Sequence, residues 1–192
     1  MKKDIFPLES NNFYHIYNRG INGGKLFFNH QNYLYFLKLI LEKTKPVAQI
    51  YSYCLLQNHF HILVRIKNED LIRVNFPKKA KSPIQSIISQ QFSNSFNSYS
   101  QAINKHFGRT GKLFELPFRR KEINSEQQLI NTILYINKNP IKHKISTDLF
   151  TYPYSSVNNI INDDSSLIES KEVISLFNDK DNFILSLQNY SV

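Results

Sequence analysis

The stretch HFHILVRI, residues 59–66, alternates with a period of two. Successive side chains of an extended chain point to opposite faces, so Phe60, Ile62, Val64 and Ile66 share one face while His59, His61, Leu63 and Arg65 share the other. The apolar face has to be buried against a core. A second β-rich run, AQIYSYCLL at 48–56, ends two residues earlier, so the pair reads as neighbouring antiparallel strands. This leaves two imidazoles side by side on the face away from the core. Two neutral imidazoles one strand repeat apart can chelate a divalent ion from a rigid base, and they can equally be half-exposed polar residues with no ligand.

The flanking sequence completes an α+β pattern. FYHIYNRG at 13–20 alternates as a strand and INGG supplies turn chemistry. Tyr33, Phe36, Leu37, Ile40 and Leu41 form one helical stripe, with Pro46 just beyond. Ser82 and Pro83 read as an N-cap and first position ahead of a long helix carrying Ile84, Ile87, Ile88, Phe92, Phe96, Tyr99 and Ile103. A loop with a short strand, GRTGKLFELPFRRKEI, leads to a Ser125/Gln128 capping box and a helix that Pro140 is expected to end near Asn139. The order predicts an antiparallel sheet with helices mainly on one face. The charge-rich residues 67–82 read as a mobile loop, and 158–164 as a linker into a small helical tail with a second capping pattern, Ser166 with Glu169.

At 192 residues the chain has room for one main core, read here as a domain at 1–157, with 158–192 as an appendage. Charge divides at the same place. Residues 1–157 carry 22 basic and 9 acidic side chains, whereas 158–192 carry 2 and 6, so a basic body precedes an acidic tail. Such a field attracts polyanions, nucleic acid foremost, through counterion release. MKKDIFPLES has no apolar run behind its lysines, and YLYFLKLIL is short and broken by Lys38, so neither a leader nor a membrane span is expected. The lone Cys54 excludes an intramolecular disulfide and a cysteine-cluster zinc site, and suits a cytoplasmic, reducing setting.

The helix SEQQLINTILYINKNP adds a second candidate. Leu129, Ile130, Ile133, Leu134 and Ile136 cover one arc, and Tyr135 falls nearly opposite, sharing its polar face with Gln128, Thr132 and Asn139. Asn139 lies one turn beyond Tyr135, although asparagine before proline is also a routine helix terminator. His15 could support the histidine pair but reads first as structural, and His30, His106 and His143 read as surface residues.

Taken jointly, NHFHILV and YINKNP resemble the single-tyrosine HUH transposases, named for a histidine, hydrophobic, histidine pattern, and most closely the REP-associated tyrosine transposases. YHIYNRG (14–20), YSYCLLQNHFHILV (51–64), FGRTGKLFELPFRRKEI (107–123), LINTILYINKNPIKHKI (129–145) and YPYSSV (152–157) follow in family order across most of residues 13–157. The chain departs in having LLQ where methionine-proline usually precedes Asn-His and tyrosine for tryptophan in YPYSSV; Asn139, where related insertion-sequence enzymes carry glutamine, is as usual in the REP-associated group. The resemblance implies a ferredoxin-like HUH domain, Mg²⁺ or Mn²⁺ on His59 and His61 with Asn139 as a third ligand, and Tyr135 as nucleophile. It implies single-stranded or hairpin DNA as partner, cleaved and rejoined through a 5′-phosphotyrosine, with monomer and homodimer both open. A non-cleaving, domesticated DNA-binding protein of the same fold is the alternative. Arg19, Arg109, Lys112, Arg119, Arg120, Lys121, Lys138 and Lys142 are the expected DNA contacts, with Phe107, Phe114 and Phe118 interspersed as stacking or core residues.

Overall fold

The histidine strand is covered on both faces, with Leu63 fully buried and His61 7% exposed on the imidazole side, and its place in the sheet explains why. The computed structural model describes residues 6–191, so the two N-terminal lysines fall outside the described residues. Strands β1 (Phe13–Arg19), β2 (Ala48–Leu56), β3 (His59–Ile66) and β4 (Arg119–Ile123) form an antiparallel sheet in the order β2-β3-β1-β4. Helix α1 (His30–Thr44) links β1 to β2, and after β3 come α2 (Glu69–Asn75) and the long α3 (Ile84–His106), which leads to β4. This is the βαββαβ order of a ferredoxin-like sheet, with α2 inserted.

Phe60, Ile62, Val64, Tyr14 and Ile16 are fully buried, and Phe36 of α1 and Phe96 of α3 stack against Phe60 at 5.0 and 5.4 Å between ring centroids. Two of the three long helices thus cover this face, as the alternation in β3 requires. The third, α4 (Glu126–Lys142), lies across the other face against β2 and β3. Ser125 caps it by accepting from the Gln128 amide at 3.2 Å, while Gln128 Oε1 accepts from the Asn124 amide at 3.0 Å.

A buried polar node fixes where α4 sits. Asn137 Nδ2 donates to Ser52 Oγ (2.9 Å), Ser156 Oγ donates to Asn137 Oδ1 (2.9 Å), and the Tyr53 amide donates to Ser156 Oγ (3.0 Å), with all three polar side chains fully buried. The same segment shields the free edge of β2: the Leu55 amide donates to Tyr154 O, and the Ser156 amide to Tyr53 O. Asn137→Ala is expected to remove both side-chain links from α4 to this node, leaving Ser52 and Ser156 bonded only to each other and the Tyr53 amide, and to cost about 1–3 kcal/mol, read as a lower urea midpoint with an unchanged slope.

Four local expectations are corrected. Residues 67–82 are partly helical: Asn68 caps α2 through the Asp70 amide (2.8 Å), Ile72 is fully buried, and Arg73 pairs with Glu69 one turn back. Helix α3 starts at Ile84 with Pro83 itself as N-cap and no side-chain cap from Ser82. Residues 158–164 are not an open linker, because α5 (Val157–Ile161) runs into them with Ile160 buried; α6 (Ser170–Ser175) and α7 (Lys180–Asn189) follow. Ser166 caps nothing, and Glu169 precedes α6 with its amide on Ile50 O at 2.8 Å, docking the tail onto β2. Among the described residues no helix is long and apolar enough to cross a membrane.

Candidate active site

Residues opposite one another on neighbouring strands point to the same side of a sheet. The register sets Arg19 opposite His59, Tyr17 opposite His61 and, on the far side of β1, Arg119 opposite Tyr17 and Lys121 opposite His15. The side of the sheet that faces α4 therefore carries a row of imidazoles and phenol flanked by cations. His15 Nε2 and His61 Nδ1 are hydrogen-bonded at 2.9 Å, and His59 Nδ1 donates to Asn58 Oδ1 at 2.7 Å. The rings of His59 and His61 lie 5.3 Å apart, and a fourth imidazole, His143, sits 4.7 Å from His59. A cavity of about 340 Å³ opens here, lined by Tyr17, Arg19, Asn58, His59, His61 and His143 among others.

Helix α4 delivers the phenol. The Tyr135 ring lies 5.5 Å from His61 and 6.0 Å from His15, both edge to face, and Lys142 Nζ stands 4.7 Å from its centroid. Sequence placed Tyr135 off the apolar stripe, and this is the face that α4 turns toward the histidines. The helix does not stop before Pro140 but continues to Lys142. Proline has no amide for the carbonyl four residues back, Ile136 O. Asn139 compensates: its Nδ2 lies 2.7 Å from Tyr135 O and 3.4 Å from Ile136 O. That use of the nitrogen leaves Asn139 Oδ1 buried without a hydrogen-bond partner, in a residue with no exposed surface. An orphaned acceptor in such a place is costly unless something completes it.

The donor set fits a divalent cation. With Nδ1 of His59 engaged as a donor, its Nε2 carries the lone pair, and the His15 contact can hold His61 in the same tautomer. Among the described residues no three His, Cys, Asp or Glu side chains gather tightly enough to enclose an ion, so a third protein ligand has to be of another kind, such as the Asn139 oxygen.

Burial, reinforced by neighbouring His143 and Arg19, lowers the pKa of His59 to about 4; burial and Lys121 do the same for His15. His61 is pushed well below the ordinary value, first by burial and then by the surrounding histidines and Lys142. All three are therefore neutral imidazoles at neutral pH. An unfolded His15 titrates near 6.5 and the folded one near about 4, so between those values the unfolded chain takes up the extra proton and stability falls as pH is lowered. The contribution is intact above about 6.5 and lost below about 4. It amounts to at most roughly 3 kcal/mol. In chelator-treated protein the urea midpoint is expected to drop across that window, and His15→Gln to flatten the drop.

The expected DNA-contacting cations divide. Arg19 and Arg119 flank the cavity mouth and share one carboxylate, Glu115, at 2.6 and 3.4 Å. Lys121, Lys112 and Lys142 are exposed, and Arg109 lies over Phe28 with its guanidinium carbon 5.9 Å from the ring. Arg120 instead points at α3, donating to Ser89 Oγ at 3.0 Å and lying 4.1 Å over Phe118. Lys138 donates to the carbonyls of Leu187 (2.9 Å) and Gln188 (2.8 Å), capping α7. Both have structural partners where sequence suggested phosphate. Phe114 and Phe118 are core, whereas Phe107 is open to solvent. Sequence reasoning also missed His143, because reading Pro140 as a stop removed the turn that brings His143 back to His59.

No family model matches the chain, and no curated protein matches it in sequence. Among solved structures, that of a REP-associated tyrosine transposase bound to a REP hairpin matches with a TM-score of 0.62 and 15% identity, over 87% of this chain and 88% of that one. At that identity the likeness establishes a shared fold: the two chains have the same α+β architecture.

Proposed function

We propose that this protein is a metal-dependent tyrosine transposase that binds single-stranded or hairpin DNA and cleaves and rejoins it through Tyr135. One observation carries the reading: β3 and α4 of a single chain bring His59 and His61 together with Tyr135, with ring centroids 5.5 Å apart for His61 and Tyr135. The fold neighbour was solved on a REP hairpin, which agrees with hairpin DNA as substrate. Mg²⁺ or Mn²⁺ held by His59, His61 and Asn139 Oδ1 would supply Lewis-acid polarisation of a phosphate oxygen and offset its charge.

The protein's own groups divide the remaining work. Tyr135 Oη attacks phosphorus in line; the new Oη–P bond forms as the P–O3′ bond breaks, leaving a 5′-phosphotyrosine and a 3′-oxygen that takes up a proton as hydroxyl. Reversal by a 3′-hydroxyl rejoins the strand with no external energy source, because one phosphoester replaces another. Burial raises the Tyr135 pKa, partly opposed by the Asn139 side chain, so the phenol has to be deprotonated as it reacts. Lys142, over the ring, favours the anion. Arg19 and Arg119 are placed to exchange Glu115 for a DNA phosphate at the mouth.

The test is incubation of end-labelled hairpin DNA carrying an unpaired flank with the protein and Mn²⁺, followed by a denaturing gel. A protein-linked labelled band that chelator abolishes is expected. Tight binding with no linked band would instead support a DNA-binding protein that has lost cleavage.

A further inference from the structure

Phe28 and Phe107 are 79 positions apart in sequence, yet their rings lie 4.5 Å apart at the surface, with 38% and 37% of their area exposed. Phe28 directly precedes the Asn29 N-cap of α1, where an apolar residue ordinarily staples back onto the helix. The residue it would meet, Tyr33, is already stacked on Tyr154 at 3.7 Å and on Phe27 at 4.3 Å, so Phe28 turns outward. Its backbone is fixed there by the Asn32 side chain, which accepts the Phe28 amide at 3.0 Å. Phe107 is the C-cap of α3, held above the turn that Gly108 makes at φ +61°, and Arg109 follows over the Phe28 face.

This aromatic pair has the electrostatic setting of a polyanion site. Within five residues of either ring the sequence places Lys25, Lys105, Arg109 and Lys112 and no Asp or Glu. The pair also lies at the histidine end of the sheet. The Leu26 and Phe27 amides both donate to Gln57 O, at 2.8 and 3.1 Å, and the Gly20 amide to Asn58 O at 2.8 Å, tying the Phe28 loop to the turn that immediately precedes His59. The Ile21 amide on Leu113 O, at 2.9 Å, ties the loop after Phe107 to the same end.

We infer that Phe28 and Phe107, with Arg109 beside them, form a stacking platform for unpaired bases of a DNA strand whose phosphates are neutralised by the surrounding cations. This deepens the reading of the site as a DNA-processing centre, but its test does not need cleavage. An aromatic face accepts any base, so the platform supplies affinity for unpaired DNA with little sequence preference. Paired bases, stacked on their neighbours, cannot offer a free face.

The probes are a fluorescent oligothymidylate of about twenty nucleotides and an abasic strand of equal length, titrated against the full chain in chelator. The wild type is expected to prefer the strand with bases by about tenfold or more. Phe28→Leu and Phe107→Leu keep apolar bulk and remove the ring; each is expected to erode that preference and leave abasic binding unchanged, with melting temperature confirming the fold. Equal binding of both strands by the wild type, or an undiminished preference in the double variant, would overturn the platform. A wild type that forms the Tyr135 adduct but shows no base preference sinks the platform alone; one that shows the preference but forms no adduct sinks the cleavage reading and leaves the platform standing.

Discussion

Tyr135→Phe is expected to abolish the covalent protein–DNA band, a loss of at least about 10⁴-fold in strand cleavage, while hairpin affinity stays within about twofold. The substitution removes one oxygen from a half-buried ring and preserves its edge-to-face contacts with His61 and His15 and the approach of Lys142. Stability should therefore change by less than about 1 kcal/mol, and a melting curve separates lost chemistry from lost fold. The sharpest competitor is Tyr17, whose ring also faces His61, at 5.9 Å, and His15, at 4.9 Å. Tyr17 sits on a central strand and Tyr135 on a helix crossing the sheet, so both phenols border the same imidazole. If Tyr17→Phe removes the band and Tyr135→Phe does not, the nucleophile has been assigned to the wrong element. Labelling either end of the DNA adds a second check, because a 5′-phosphotyrosine retains the downstream fragment.

What could be read from the sequence divides along a physical line. Period-two alternation in β3 and the apolar arc of α4 are local consequences of backbone geometry, so the faces of His59, His61 and Tyr135 were legible without a structure. Their convergence was not a matter of pattern, because it depends on where α4 is seated. The seating comes from Asn137, Ser52 and Ser156, three residues that look like unremarkable polar positions until the contacts are known. The partners of Lys138 and Arg120 were hidden for the same reason: a charged side chain in sequence has no visible partner, and theirs are the end of α7 and the flank of α3. Pro140 shows the opposite failure. Its missing amide is a real local penalty, but the Asn139 side chain offsets it, so the helix goes on and carries His143 toward His59. Helix α2 was hidden by its charges, which lie on the outside of a turn that buries Ile72.

The site's rigidity rests on the face it turns away from, and Phe60→Ala should expose that dependence. Phe60 lies between the two histidines in sequence and points into the core, with no exposed area and with Phe36, Phe96 and Phe114 at 5.0, 5.4 and 6.0 Å. Truncating a buried phenylalanine removes its transfer energy and leaves a cavity that surrounding rings fill poorly, at a cost of about 3–5 kcal/mol. For a chain of this size that lowers the melting temperature by roughly 6–20 °C. Because domains retain only about 5–15 kcal/mol in total, much of the folded population's margin would be gone. Below the melting transition the variant should still bind hairpin DNA through its cations, while metal-dependent adduct formation falls as β3 loses its backing. A stability loss under about 1 kcal/mol would mean that the aromatic cluster is loosely packed and that β3 is held mainly by its hydrogen bonds to β1 and β2.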